Sequence, residues 1–587
     1  MSTMMQMPVS WLGIIFLPLI LAGLFVFKRI RPFLIKLVPL GALPALLASL
    51  FMHPGAGIKI PWLFFESMFV LDATGKMFLF FTSVLWLLAG MYSVCYVSDS
   101  SRRIRYFVCF LLAMSGNLGL ILAQDVFSFY FLFALMSFSS FGLVVHEKSA
   151  DAAYAGKIYL ILVVIGEAFV FLGLLLLAHS TDTIYIHEAV KLLSSQPQCG
   201  TVMGLMFFGF GIKAGALPLH VWLPLAHPVA PTPASAVLSG AMIKAGLLGW
   251  VRFLPLGASG FQDWGYTIIL LGIAAAIYGA LVGLTQNKIK SVLAYSSISQ
   301  MGMMTILVGV GLLNPAIWKK SWMVLMFYAV HHGLAKGALF LSVGTAVSQM
   351  KSNGLRLLRD MAVIWPAVAV VGLPFTSGEM AKGGLKMVLK KSSAVLPHVE
   401  LILILVSVSA VTTALIMARF LWLTWRVKQE TGETSRDVPG LMLPWMILVL
   451  LVFLFPFWIT FLNVVPSDGM GLIIKADLKN MWPFGLAMGI FIAARLLRLT
   501  NPLRIPQGDV LWGYAKCVNG LRVWIIGIIK PLQKGRENLE GGLGILSENL
   551  LRPSKYIDSM VEFFSSWKVF GILIFSLCII LMMSLGW

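Results

Sequence analysis

The sequence predicts an all-α polytopic membrane protein, and three observations carry that prediction. Of its 587 residues, 59% are hydrophobic and only 12% are charged. Apolar runs of about 20 residues, enough to cross the hydrocarbon of a bilayer, recur almost from end to end. Positive residues gather in alternate loops between those runs. A soluble core has no use for so much apolar surface. Backbone polar groups inside a bilayer must be satisfied within the segment, so continuous Leu/Ile/Val/Phe runs read as helices, whereas a β-barrel would show short alternating strands.

Read in order, the runs give about sixteen spans. They cover residues 11–27, 32–52, 77–97, 106–123, 126–145, 158–178, 202–223 and 233–251, then 266–284, 291–312, 322–347, 361–389, 401–425, 441–464, 482–497 and 569–587. The first is not read as a signal peptide, because no Lys or Arg precedes it and no small-residue cleavage site comes after it. Pro218 interrupts the seventh span and Pro374 the twelfth. Broken helices at corresponding places in two halves point to an inverted repeat with its ion site at the break, here spans four to eight and nine to thirteen. The expected organisation is N-terminal helices (1–105), a first five-helix half (106–255), a second (256–425), C-terminal helices (426–500), an amphipathic segment (501–566) and a terminal helix (567–587).

A formal charge of +20 is compatible with nucleic-acid binding, but its distribution is not. Lys28, Arg29 and Arg31 follow the first span, Arg102, Arg103 and Arg105 the third, Lys288 and Lys290 the ninth, and Lys351, Arg356 and Arg359 the eleventh. This is the topogenic pattern of a membrane protein, so no nucleic-acid partner is expected. Lys319–Lys320 and Lys390–Lys391 break the parity. The rule places these loops in the cytoplasm and both termini outside, in a bacterial-type inner membrane or an equivalent energy-transducing one. Five cysteines show no C-x-x-C pair, which leaves neither zinc nor an iron–sulfur cluster a ligand set. There is no P-loop and no dinucleotide fingerprint. The energy for transport must come from an ion gradient or a partner subunit.

An ionisable side chain inside a span costs a few kcal/mol or more, so each is a functional candidate. Glu167 stands mid-span, Lys213 five residues before Pro218, Lys244 in the next span, His331, His332 and Lys336 together in the eleventh, and Glu379 and Lys382 after Pro374. A buried lysine is easily stripped of its proton, because a low-dielectric site disfavours its charged form. His332 and Lys336 are four apart, hence on one helix face, where the imidazole can exchange a proton with the amine. The plainer alternatives remain open. A lysine near a span end, such as Lys382, snorkels to the interface. Glu379 is equally placed to pair with Lys382 at i,i+3. His220 and His227 flank Pro224, where capping competes with proton exchange, and Arg419 reads as an interfacial anchor.

Residues 213–227, Lys-Ala-Gly-Ala-Leu-Pro-Leu-His-Val-Trp-Leu-Pro-Leu-Ala-His, with Ala-Pro-Thr-Pro-Ala-Ser over 230–235, resemble the signature of a known family. It is that of the antiporter-like membrane subunits of respiratory complex I, membrane-bound hydrogenases and Mrp cation/proton antiporters. Three more blocks come in the same order, at 290–302, 332–341 and 372–382, so the resemblance covers roughly residues 75 to 425. It implies that Lys213 is similar to the seventh-helix lysine of the first half-channel and Lys244 to the bridging lysine of the eighth. His332 and Lys336 resemble the eleventh-helix pair, and Lys382 the twelfth-helix exit residue. One departure stands out: the family has Trp-Glu-x-Met in its fifth helix, whereas this chain reads Phe133-Ala134-Leu135-Met136. Glu167, one helix later, is the nearest acid to replace the missing carboxylate, with a protonated, hydrogen-bonded structural role as its alternative.

Segment 501–566 mixes Trp512, Leu521, Trp524 and Ile525 with Lys and Arg, and reads as an amphipathic surface helix segmented by Pro531 and Pro553. Its order resembles the lateral helix of the distal complex I subunit. The expected function is proton translocation within a respiratory oxidoreductase complex, with other membrane subunits as partners and iron–sulfur clusters, flavin or nickel left to them. Alternatives are a subunit of an Mrp-type antiporter, with sodium in place of protons, or of an inorganic-carbon uptake system, or a scaffold whose channel is dead because of Ala134.

Overall fold

A computed structural model of the chain describes residues 8–63, 66–97, 102–346, 353–430, 438–461, 482–496 and 505–510. Most of segment 501–566 and all of the terminal span 569–587 lie outside them. The chain divides into two compact units, and every helix named below belongs to the one that ends at Gly508.

The chain enters through α1 (Pro8–Leu24), α2 (Arg31–Leu37) and α3 (Leu43–Phe51), then a hairpin of β1 (Gly57–Ile60) and β2 (Ser67–Val70). After it come α4 (Ala73–Tyr96), α5 (Arg103–Leu122), α6 (Val126–Val144), α7 (Ala150–Thr181), the short α8 (Ile186–Leu193), α9 (Cys199–Ala214) and α10 (Trp222–Val229). The middle of the chain forms α11 (Thr232–Val237), α12 (Ile243–Phe253), α13 (Gln262–Leu284), α14 (Ile289–Leu313) and α15 (Trp318–Ala346). The described helices end with α16 (Asn353–Val371), α17 (Ser377–Lys391), α18 (Val399–Glu430), α19 (Val438–Phe461) and α20 (Trp482–Leu496). Among the described residues, 11 helical stretches are long and apolar enough to cross a membrane, and Leu12–Leu24, Cys199–Ala214 and Trp482–Ala493 are shorter apolar helices.

Four features depart from the sequence reading. The second span is a chain of α2, a 3-10 turn (Val38–Ala42) and α3, because Pro39 and Pro44 each lack the N–H that a continuous α-helix needs. The seventh span does not run to Leu223: α9 stops at Ala214, before Pro218 is reached. The eighth holds a π-turn, Leu238–Met242, between α11 and α12. The antiparallel hairpin, pairing Gly57 with Val70 and Ile60 with Ser67, is an addition to the all-α frame. Its strands are four residues each, and only the second alternates buried and half-buried residues, too briefly to stand out beside helical runs of about 20.

The helices at the centre pack through small residues. A Cβ added to Gly272 of α13 would meet the Gly302 carbonyl at 2.7 Å, and one on Gly309 of α14 would meet the Gly265 carbonyl at 2.7 Å. Two apolar helices gain no hydrophobic drive from each other in lipid, so such close backbone approach is what makes them adhere. An 18-residue stretch of each of α14 and α15 is wholly buried. An enclosed helix can carry polar groups without facing lipid, and α14 carries buried Ser291, Ser296, Ser297, Ser299 and Gln300.

Candidate functional site

Two helix breaks position the charged side chains. At the first, α9 ends on Gly215, whose φ of +71° is one a side chain would strain, and an added Cβ would strike Leu223. Two carbonyls freed by the break are taken up within the protein: Ala216 N–H donates to Gly211 O at 2.9 Å, and the Trp222 indole N–H to Ile212 O at 2.7 Å. Lys213, in the last turn, is left with its ammonium free to turn inward. It is 3% exposed, and its Nζ donates to the Tyr159 hydroxyl of α7 at 3.3 Å, which itself donates to the Ser137 carbonyl of α6 at 2.8 Å.

Glu167 of α7 is 4% exposed, and neither carboxylate oxygen has a hydrogen-bond partner among the described residues. It and Lys213 line one cavity of about 10 Å³ with Phe133, Ser137, Val163 and Trp222, and the two feel each other's charge. That volume is about what a single water occupies. The Ser137 hydroxyl, buried beside them, is likewise without a hydrogen-bond partner. Three polar side chains thus converge on one water-sized space.

At the second break α16 ends at Val371, and Gly372 takes a φ of +85°. Here the freed carbonyls are met by an ammonium: Lys382 Nζ donates to Val370 O at 3.1 Å and Val371 O at 2.7 Å, a cation at the negative end of a helix. Across the break Thr376 caps α17, accepting from Glu379 N–H, while the Glu379 carboxylate accepts from Phe375 N–H at 2.9 Å. Thr376 is the N-terminal cap of α17, and the Glu379 carboxylate closes back on the residue before that cap. The two breaks therefore use their lysines differently, one turned into a cavity and the other closing a helix end.

Between the breaks lie the remaining candidates. The Lys244 ammonium donates to the Ser239 carbonyl inside the π-turn, and the Ser239 and Ser297 hydroxyls meet at 2.8 Å. Lys336 Nζ donates to Leu293 O at 3.1 Å. Among the described residues neither ring nitrogen of His332 has a hydrogen-bond partner, and the ring lies in the fields of both Lys244 and Lys336. His331 Nδ1 and Ser377 Oγ are 2.7 Å apart, joining α15 to α17, and that ring also feels Lys382. His227 stacks on Phe340 with ring centroids 4.6 Å apart, in the fields of Lys290, Lys336 and Lys244. His220 packs edge-on against Tyr278 and Tyr295. Arg419 lies apart: its guanidinium donates to Gln286 O and Asn287 Oδ1 and covers the Trp422 ring, as an anchor does.

Sequence reasoning did not name Tyr159, Ser137 or the Ser239–Ser297 pair. Tyr159, Val163 and Glu167 recur every four residues on α7, a spacing that marks one helix face and could have tied the tyrosine to the acid. Nothing local announces Ser137, because only the packing of α6 on α7 brings it to the cavity.

Residues 123–421, which hold both breaks and every buried charge between them, match the family described as NADH:quinone oxidoreductase/Mrp antiporter, TM. The chain belongs to this family. The antiporter-like chain is 28% identical to hydrogenase-4 component B of Escherichia coli over 323 residues, 53% of this chain and 48% of that protein. It is 29% identical to Na(+)/H(+) antiporter subunit A1 of Staphylococcus aureus over 333 residues, 53% of this chain and 41% of that one. The matched stretch thus spans about half the length of these relatives or less. The fold is shared with an Mrp complex from a Dietzia species, at a TM-score of 0.70 and 19% identity over 94% of this chain and 63% of the other. It is shared too with an archaeal membrane-bound sulfane sulfur reductase, at 0.65 and 21% over 79% of this chain and 98% of the other.

Proposed function

We propose that this antiporter-like chain carries protons across an energy-transducing membrane as one subunit of a larger oxidoreductase complex. The relay runs from Glu167 and Lys213 through Lys244, His332 and Lys336 to Lys382, with His220, His227, His331 and Glu379 as further members. The observation that carries this reading is the convergence of Glu167, Lys213 and Ser137 on one water-sized cavity. A proton needs donors and acceptors linked by water, and an acid and a base sharing such a space provide a loading point. Glu167 here takes the part of the carboxylate that Ala134 replaces.

Around this relay the finer organisation is about sixteen spans. Two inverted five-helix halves, 106–255 and 256–425, are broken after Ala214 and after Val371. Helices at 1–105 and 426–500 flank them, 501–566 and 567–587 complete the chain, and both termini lie on the outer side. The chain itself holds no redox centre, and iron–sulfur, flavin or nickel groups belong to its partners. The likeness to an Na(+)/H(+) antiporter subunit favours one second reading, an Mrp-type antiporter, in which sodium is exchanged for protons. Co-purifying subunits separate the two: iron–sulfur or nickel proteins speak for the first, small antiporter subunits for the second.

Lys213→Ala and Lys336→Ala test the relay itself. Each deletes a titrating group and little packing, so each is expected to abolish most proton uptake by inverted membrane vesicles while subunit content stays unchanged. Uptake equal to the parent in both variants would reject the relay in favour of a scaffold.

A further inference from the structure

A ladder of three lysines climbs α17 from the second break to the end of the helix. Lys382, Lys386 and Lys390 follow one another every four residues, so they share one side of it. Four residues overshoot a full turn by about 40°, and the stripe therefore winds away from the face that packs. That packed face holds buried Ala381, Gly384, Leu385 and Val388, and a Cβ added to Gly384 would meet Val324 of α15 at 3.0 Å. Exposure follows the winding: Lys382 is 7% exposed, Lys386 is half-buried and Lys390 is exposed. Lys382 feels the charge of Lys386, and Lys386 that of Lys390.

From first rung to last the helix rises about 12 Å, close to half the thickness of the hydrocarbon, about 15 Å. An interfacial anchor needs only Lys390 and Lys391 in the last turn. Lys386, one turn deeper, adds a charge inside a span and like-charge repulsion at four residues on either side. We infer that Lys386 and Lys390 extend the relay, carrying protons from Lys382 to the surface at the end of α17. The inference rests on the proton-carrying reading proposed above, in whose topology that surface is the outer one. At each step an N–H bond of one ammonium breaks and an N–H bond forms on the neutral amine of the next. The rungs rise about 6 Å apart, a gap that one water bridges. Repulsion moves the charge onward, because a proton arriving at Lys386 favours release from Lys390, where solvent takes it. Lys390–Lys391 run against the parity of positive loops, and conduction gives them a reason to stand there.

Proton uptake by inverted membrane vesicles that hold the complete complex, compared at equal subunit content, tests the ladder. Lys386→Gln should lower the rate about a hundredfold, the low end of what one positioned proton carrier contributes. Lys386→Arg should be as slow, because a guanidinium keeps its proton, whereas Lys386→His should recover part of the rate. Lys390→Gln should cost less than Lys386→Gln, since water reaches that end of the helix. Parental uptake in Lys386→Arg would reduce the ladder to a charged anchor and overturn the inference. Equal loss in the arginine and histidine variants would also overturn it, by showing a packing fault. Lys213→Ala separates the two levels of the argument. If it is inactive while Lys386→Gln pumps normally, the ladder alone falls; if both pump normally, the proton-carrying reading falls with it.

Discussion

Replacing Glu167 by Gln keeps the shape of the side chain and removes its charge, which isolates the electrostatic part of the proposed loading point. The carboxylate and Lys213 share one cavity, both almost wholly buried, with Ser137 and Tyr159 as the other polar neighbours. A buried ammonium that loses its counter-charge is destabilised by about 3 kcal/mol, the lower end of what breaking a buried ion pair costs. At about 1.4 kcal/mol per factor of ten, the step that charges Lys213 should slow roughly a hundredfold. Proton uptake by inverted vesicles, compared at equal subunit content across the working pH range, measures this directly. The double variant Ala134→Glu with Glu167→Gln adds a control. Position 134 lies one turn before Ser137 on α6, so a carboxylate there should reach the same lysine and restore part of the rate. Normal pumping by Glu167→Gln alone would rule out this pairing, and Lys213 would then have to work with water or a partner's carboxylate.

The packing and the surface give further expected outcomes. Gly272→Val would drive a side chain into the Gly302 carbonyl and the side chain of Ile306, so α13 should no longer seat on α14; loss of the full-length protein from membranes is expected, and normal levels would refute the close approach. Beside the β-hairpin, Glu66 accepts from Lys59 at 2.7 Å and from the Tyr185 hydroxyl at 2.7 Å, and these bonds hold its carboxyl below the usual range. Because that value is depressed on folding, the contribution is present above the ordinary glutamate value of about 4.3 and is lost as pH falls through the folded one. The protection of the Gly57–Ile60 amides against hydrogen exchange, taken relative to the intrinsic rate at each pH, should therefore fall below about pH 4, and a flat profile would argue against the bridge. Arg29→Cys in a cysteine-free background should react with a membrane-impermeant thiol reagent only in inverted vesicles; labelling of intact cells would reverse the proposed topology.

Much of the frame was legible because the membrane imposes it. A span must be about 20 apolar residues and must satisfy its own backbone, so hydropathy alone placed some helices to within a few residues, Val126–Val144 and Trp482–Leu496 among them, whereas α7 (Ala150–Thr181) begins eight residues before the span read at 158–178. The same economy of charge exposed the candidates, since a lysine, histidine or glutamate inside a span is conspicuous against Leu and Phe. The breaks at residues 215 and 372 were signalled by Gly and Pro, although α9 ends at the glycine and not at the proline. The hairpin was not legible, because its strands have too few residues for a period to emerge, and α8 was passed over although its buried Ile186, Ala189 and Leu193 recur at helical spacing.

What the sequence determined by itself, then, is the class of protein, the order of its helices and a short roster of buried charges. Only the tertiary structure decided what each charge faces. Lys213 and Lys382 sit beside similar Gly and Pro signals, yet one faces Tyr159 and a cavity shared with Glu167, while the other closes the carbonyls of Val370 and Val371. The Glu379 carboxylate accepts from Phe375 N–H, and Ser137 faces the acid of a neighbouring helix. The physical reason is that polar groups in a low-dielectric interior must find partners wherever packing places them. Those partners lie on other helices, as far away in sequence as Ser137 is from Lys213, and local pattern carries no record of them.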